Sequence, residues 1–299
     1  MKGELSLKKA IEEYRNIYMA YRNFAQRTRV EYVNDLEDLV LFLNRMGVDK
    51  VGKVTLPHLV RYMAELDKRG LAGSTRKRKV ISIRSFLGFL YMEGHTTTNI
   101  GKQLIPPYVE ARKPRYLTTE EYSRLLERGK SDKRDYAIIQ LLLQTGIKLS
   151  ELTRLTINDL QITDGVDEKG KRVEYIRVVG NQRNKERLIP LNPKASTAID
   201  DYLTNREKSK SDNLFLNRSG EQLGERGVEK IVGKYIKLAG IVNASVNSLR
   251  HTFGAHHAVM GTSIDTVRKV MGHKDKRTTE IYYSMVNNNT IKEIKGNEL

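Results

Sequence analysis

Apolar residues in the first hundred positions recur at intervals of three and four, the period of helices that bury one face. Leu7, Ala10, Ile11, Tyr14, Ile17, Tyr18 and Tyr21 share one face of a helix between Ser6 and Phe24. A second helix is expected from about Thr28 to Met46, with Leu36, Leu39, Val40 and Leu43 inward and Gly47 as its stop. A third begins near Thr55, with Pro57 in its first turn, and ends at Gly70. The fourth opens at Ser74, turns Val80, Ile83, Phe86, Leu87 and Leu90 inward, and ends at Gly94. The pattern predicts a compact helical bundle.

The period then breaks. Residues 101 to 115 hold Pro106, Pro107 and Pro114 and no apolar repeat, which reads as a stiff extended linker. The expected organisation is a helical domain at 1 to 105, a linker at 106 to 115 and a second domain at 116 to 299. Thr118 and Glu121 form a capping box for the next helix. Residues 135 to 145 are apolar on nearly every side, as a central helix should be. After a helix near 149 to 156, residues 173 to 180 and 187 to 191 look like two strands joined by a polar turn, and helices resume from about Ala195 to the end. The fold class expected is mainly α with a small antiparallel β-sheet.

Composition narrows the partner. The 299 residues hold 53 Lys and Arg against 36 Asp and Glu, a formal charge of +17. The excess is shared, +10 over residues 1 to 115 and +7 over the remainder, so both parts suit a polyanion. No apolar run approaches the length of a membrane span, and the residues after Met1 lack the core of a secretory leader. A soluble cytoplasmic protein associated with the nucleoid is expected, with double-stranded DNA as partner and no membrane. Cysteine is absent, so a thiolate nucleophile and a Cys-based zinc site are excluded. His251, His256 and His257 lie close in sequence, but His251 and His256 fall on different helix faces and no HExxH motif accompanies them; no metal and no cofactor are expected.

In the fourth helix Arg76, Lys77, Arg78, Lys79 and Arg84 crowd the end where the helix dipole disfavours cations. That arrangement nominates them as phosphate contacts, against the plainer reading of a solvated helix end.

Three segments carry the chemistry: TGIKLSEL (145 to 152), VNSLRHTFGAHH (246 to 257) and VMGHKDKRTTEIYY (270 to 283). Together they resemble the tyrosine recombinase family, of phage-integrase and Xer type, whose boxes read like TGLRxSEL, HxLRHTFA and LGHxxxxTTxxY. The resemblance implies a helical core-binding domain followed by a mixed α/β catalytic domain, closing on DNA as a C-shaped clamp. It implies that DNA is cut and rejoined through a covalent 3′-phosphotyrosine, by a homo-tetramer on two duplexes; accessory DNA-bending proteins would be further partners. Tyr282 then is the nucleophile, nine residues after His273, and Tyr283 is its decoy.

The roles fit physical need. In-line displacement at a phosphodiester builds charge on the non-bridging oxygens, which fixed cations and donors must meet. Arg250 offers a forked donor, and His273 can donate to the phosphate or take the tyrosine proton. Glu151, three residues after Lys148, can orient it, and His251 is assigned a supporting place behind the site. On the hairpin the family carries a lysine that protonates the leaving hydroxyl. Here the stretch GNQRNKER puts Gln182 at that position, so Lys185 is the candidate acid, with Arg183 behind it.

Two positions depart from the family pattern. Lys148 stands where the first arginine would be, and Asn247 where the histidine of HxxR would be. Lysine keeps the charge without the fork, and asparagine keeps hydrogen bonding without a titratable proton. The rival reading is a recombinase fold that kept its DNA grip and lost strand cleavage, acting as a DNA-binding regulator.

Overall fold

A computed structural model describes residues 4–110, 113–166, 172–180 and 186–296. The chain divides into two compact units, 1–112 and 113–299, each with its own apolar core.

The first unit contains α1 (Leu7–Glu13), a π-helical turn (Tyr14–Tyr18), α2 (Met19–Tyr21), α3 (Gln26–Arg45), α4 (Leu56–Lys68) and α5 (Gly73–Met92). The π turn corrects the expected face of the first helix. One extra residue per turn rotates everything after Tyr14, so Met19 is buried while Ile17 and Tyr21 face solvent. Tyr14 anchors the turn, its hydroxyl 2.7 Å from Ser85 Oγ on α5.

The cations of α5 meet carboxylates of α3 and α4. Arg78 donates to Asp35 at 2.6 Å, Arg76 pairs with Asp67 at 2.5 Å, and Lys79, only 6% exposed, lies 2.8 Å from Asp38 and 3.3 Å from Asp35. Tyr62 and Arg69 also donate to Asp38, at 2.8 and 3.0 Å. Arg76, Arg78 and above all Lys79 thus have carboxylate partners within the unit, whereas Lys77 and Arg84 are exposed. Helix-end cations disfavoured by the dipole are here offset by acids from neighbouring helices.

The second unit contains α6 (Thr119–Gly129), α7 (Lys133–Thr145), α8 (Leu149–Leu152), β1 (Leu160–Val166), β2 (Arg172–Val179), β3 (Glu186–Leu191), α9 (Pro193–Asn205), α10 (Glu225–Leu238), α11 (Val246–Val259), α12 (Ile264–Met271) and α13 (Arg277–Gly296). Its centre is α7, where Ala137, Ile138, Ile139, Leu141 and Leu142 are buried on all sides. The sheet is antiparallel in the order β1-β2-β3, with Ile176 opposite both Leu160 and Ile189.

Three expectations change. Strand β1 lies outside the two expected strands; its pairing with β2 shifts register between Ile162 and Val166, an irregularity that breaks the plain alternation a strand search relies on. The helix near 149 to 156 is the single turn α8, followed by Thr156, whose hydroxyl donates to Asp159 at 2.8 Å. Residues 206 to 224 are not helical: the Arg206 guanidinium ties the loop instead, donating to the carbonyls of Ser211 and Asn213 at 2.8 Å each.

Candidate active site

Two helix ends build the site. Helix α7 stops at Gly146, whose φ of +59° is left-handed and whose added Cβ would lie 2.6 Å from the Phe253 ring. Helix α12 stops at Gly272, with φ +65°. A helix end leaves carbonyls without intrahelical partners and carries partial negative charge. Three cations answer at α12: Arg187 Nε donates to Val270 O at 2.7 Å, Arg250 Nη2 to Met271 O at 2.8 Å, and Lys148 Nζ to Gly272 O at 3.2 Å. Arg250, 8% exposed, also donates to Gly146 O, so one guanidinium joins both helix ends.

Glu151 is buried among these cations. Arg187 grips it with a fork, at 3.0 and 2.7 Å, the Lys148 backbone N–H donates to it at 3.1 Å, and the Lys148 ammonium lies 3.9 Å away. Burial opposes the Glu151 charge but is outweighed by Arg187, and the carboxyl is held below its usual range. Arg187 reads in sequence only as one basic residue near the turn. Its signal is its place on β3, where alternation points it away from solvent and toward α8 and α12. An added Cβ at Gly272 would lie 2.9 Å from the Arg187 guanidinium carbon, so the arginine packs directly under the turn that carries His273.

The cluster shifts its own members. Burial, then the Arg250 and Lys148 charges, push His273 down to about 4, so it is neutral at pH 7. Burial also pushes Arg250 down, to about 10, where it is still charged, and lowers Lys148. His273 Nδ1 lies 2.9 Å from Thr279 Oγ1, which leaves Nε2 on the other side of the ring. Thr279, the second of the Thr pair, is fully buried.

Tyr282 on α13 is 2% exposed, and its Oη lies 2.9 Å from His251 Nδ1 on α11. The ring fits because residue 254 is glycine: an added Cβ there would lie 2.5 Å from a Tyr282 ring carbon. Burial raises the Tyr282 pKa and Arg250 opposes the rise, so the phenol keeps its proton in the free protein. Tyr283 is turned away, with Oη 2.5 Å from Thr262 O. His251 thus touches the tyrosine itself, a closer place than the supporting one read from sequence.

Asn247 is exposed in the first turn of α11. His257 is occupied with Thr262, 3.1 Å away, and with the Phe253 ring. Gln182, Arg183 and Lys185 lie outside the described residues. Among the described residues no three His, Asp or Glu side chains group as metal ligands, and no helix is long and apolar enough to cross a membrane.

Comparison with known proteins covers both units. Residues 115–289 match the phage integrase family, and residues 11–94 match the N-terminal SAM-like domain of phage integrases. The tyrosine recombinase XerC of Pelotomaculum thermopropionicum is 33% identical over 280 residues, covering 87% of this chain and 88% of its own. Among solved structures, the XerH site-specific recombinase bound to a palindromic difH substrate aligns with a TM-score of 0.75 at 19% identity, over 96% of this chain and 83% of that one. A lambda integrase tetramer bound to a Holliday junction aligns with a TM-score of 0.72 at 19% identity, over 91% and 79%.

Proposed function

This chain belongs to the phage integrase family, and from that membership and the geometry around Tyr282 we propose that it is a tyrosine-type site-specific DNA recombinase. The observation that carries the reading is a buried phenol within the field of Arg250, which together with Arg187 and Lys148 is anchored on carbonyls at the end of α12. Tyr282 Oη attacks a scissile phosphate and releases a 5′ hydroxyl. A 5′ hydroxyl of another strand then attacks the phosphotyrosine and releases the enzyme. Arg250 and Lys148 meet the charge that grows on the phosphate oxygens, and His273 donates from its free nitrogen. Lys185, two residues before Arg187 in the sequence, is the proposed acid for the leaving oxygen.

Because the bond energy stays in the phosphotyrosine, neither ATP nor a divalent ion is required. Lys77 and Arg84 on α5 are the proposed phosphate contacts of the first unit, with Arg183 on the hairpin. The working assembly is a homo-tetramer on two duplexes, in the cytoplasm. The tail 290 to 299 is proposed to dock on a neighbouring protomer; the backbone of α13 continues into it without a break as far as Gly296, and the side chains of Ile291 and Ile294 lie outside the described residues.

The test is incubation with a nicked duplex selected for binding from a randomised library, then a denaturing gel. Wild-type protein treated with chelator should form a covalent adduct that maps to Tyr282, and Tyr282→Phe should form none. Binding without any adduct would instead assign the chain to DNA-binding regulation.

A further inference from the structure

The recombinase reading leaves one role unfilled. A phenol near its ordinary pKa of ~10 is a poor nucleophile at neutral pH and needs a group to receive its proton. The histidine of the HxxR pattern is replaced here by Asn247, an amide that cannot act as a base, and it is exposed. His273 presents its ring plane to Tyr282, with centroids 6.4 Å apart at 23°, and its Nδ1 is taken up by Thr279. Lys148 and Arg250 are cations turned to backbone carbonyls and have no lone pair to offer.

His251 is placed differently. Its Nδ1 is 2.9 Å from Tyr282 Oη, with the rings tilted at 52° so that the nitrogen and not the face meets the hydroxyl. A buried O–H needs an acceptor, and among the described residues the hydrogen-bond partner of this one is that nitrogen. The phenol therefore donates, Nδ1 is bare, and the imidazole proton sits on Nε2. Burial and the adjacent Arg250 charge lower the His251 pKa, which keeps the ring neutral and its lone pair available.

We propose, on the footing of the recombinase reading, that His251 Nδ1 is the general base that takes the Tyr282 proton as the tyrosine attacks phosphorus. The new bond is Tyr282 Oη to phosphorus and the broken bond is phosphorus to the 5′ oxygen. The phenol proton passes to His251, and the leaving oxygen takes its proton from a separate acid, Lys185. In rejoining the steps reverse: the imidazolium returns its proton to Tyr282 as the phosphotyrosine is displaced. The transfer is uphill in the free protein, where burial favours neutral phenol and neutral imidazole alike. It becomes favourable only as bonding to phosphorus acidifies the phenol, while the phosphate anion stabilises the imidazolium.

The test uses the full chain and the selected nicked duplex, with adduct formation followed in a single turnover. His251→Ala and His251→Gln should each slow adduct formation by ~10²–10³-fold, with DNA affinity changed by less than about threefold. Imidazole added to His251→Ala should restore at least about tenfold of the rate, in proportion to its unprotonated fraction. With a fluorinated, more acidic tyrosine at position 282 the defect should shrink. If either variant keeps the wild-type rate, or if the loss is indifferent both to imidazole and to fluorination, His251 is not the base. If wild-type protein forms no adduct on a duplex it binds, the recombinase reading itself falls, and this assignment with it.

Discussion

Two charged clusters, one in each unit, contain similar residues in different proportion. In the first unit Arg78, Lys79 and Arg69 meet Asp35, Asp38 and Glu31, with Tyr62 and Ser82 satisfying further lone pairs. In the second, Arg187, Arg250 and Lys148 converge on the end of α12, and among the described residues the carboxylate drawn into the group is Glu151. The balanced cluster is complete as it stands and fixes how α3, α4 and α5 pack. The unbalanced one carries surplus positive charge at the site of a buried nucleophile, held there by helix-end carbonyls in place of carboxylates. Partial charges can anchor a cation without cancelling it, so the surplus stays available to a phosphate. A basic run in sequence is thus weak evidence of an anion site until its partners are known.

The strongest way to sharpen this contrast is to move the nucleophile without touching any charge. In Gly254→Ala the added methyl would sit 2.5 Å from the Tyr282 ring. Helix α13 or the ring must shift, and a displacement near ~1 Å should lower adduct formation by ~10² or more. DNA binding, which rests on the cations, should change by less than about threefold. Unchanged cleavage would show that Tyr282 reaches the phosphate from a position unlike its place in the free protein.

Next in size is Lys148→Arg. A forked donor in place of the ammonium should raise the cleavage rate by ~10 to 1,000-fold, the scale of one transition-state donor, with DNA affinity almost constant. The structure adds a condition. The Lys148 side chain is 45% exposed and tied to Gly272 O, so the guanidinium has room but must keep that anchor. A rate that stays flat or falls would make Lys148 a native adaptation of a site in which Arg187 already supplies the forked cation.

These outcomes bear on what can be read from residues alone. Tyr282, Arg250 and His273 stand out because their spacings are local: a nine-residue interval and two short boxes. The central helix α7 and the two later strands are legible for the same reason, each showing a plain local period. What escapes depends on distant partners. Lys79 looks like a phosphate contact until Asp38, 41 positions away, is found to hold it. Arg187 looks like one more turn cation, because its partners Glu151 and Val270 lie 36 and 83 positions away. The π turn at Tyr14 is invisible, since a periodicity search assumes one pitch throughout.

The contrast within α5 is testable at smaller scale. Lys77→Ala with Arg84→Ala should weaken DNA binding by ~10-fold and reduce the slope of log K against log salt by about 2, one for each phosphate no longer neutralised. Lys79→Met should leave that slope unchanged while lowering the stability of the first unit, because it leaves Asp38 and Asp35 without their shared cation. A salt slope altered by Lys79→Met and not by the double variant would reverse the assignment of that face.

The smallest effect separates the two clusters by acid. His273 is held at about 4 in the folded protein, below the ~6.5 of an unfolded histidine, because burial and cations oppose its protonation. The unfolded chain therefore binds the extra proton first, and the stability His273 contributes is present above pH ~6.5 and lost as pH falls through about 4. Asp38 behaves as a depressed carboxyl: burial works against its charge, but Lys79, Tyr62 and Arg69 prevail and hold it at about 2. Its contribution is present above ~3.8 and lost only as pH falls through about 2. Between pH 7 and 5 the second unit should therefore weaken while the first does not. Discounted for the partial exposure of the ring, the loss by pH 5 is about 1 kcal/mol. Hydrogen exchange of the α7 and α11 amides, corrected for its intrinsic pH dependence, should report this loss, and the α3 and α5 amides should not. His273→Gln should reduce the slope and leave the share of His251 and His257, which burial also lowers, and bound duplex should reduce it by stabilising the imidazolium. Equal weakening of both units over that range, or a slope untouched by His273→Gln, would show that the surplus charge does not act through the His273 ring.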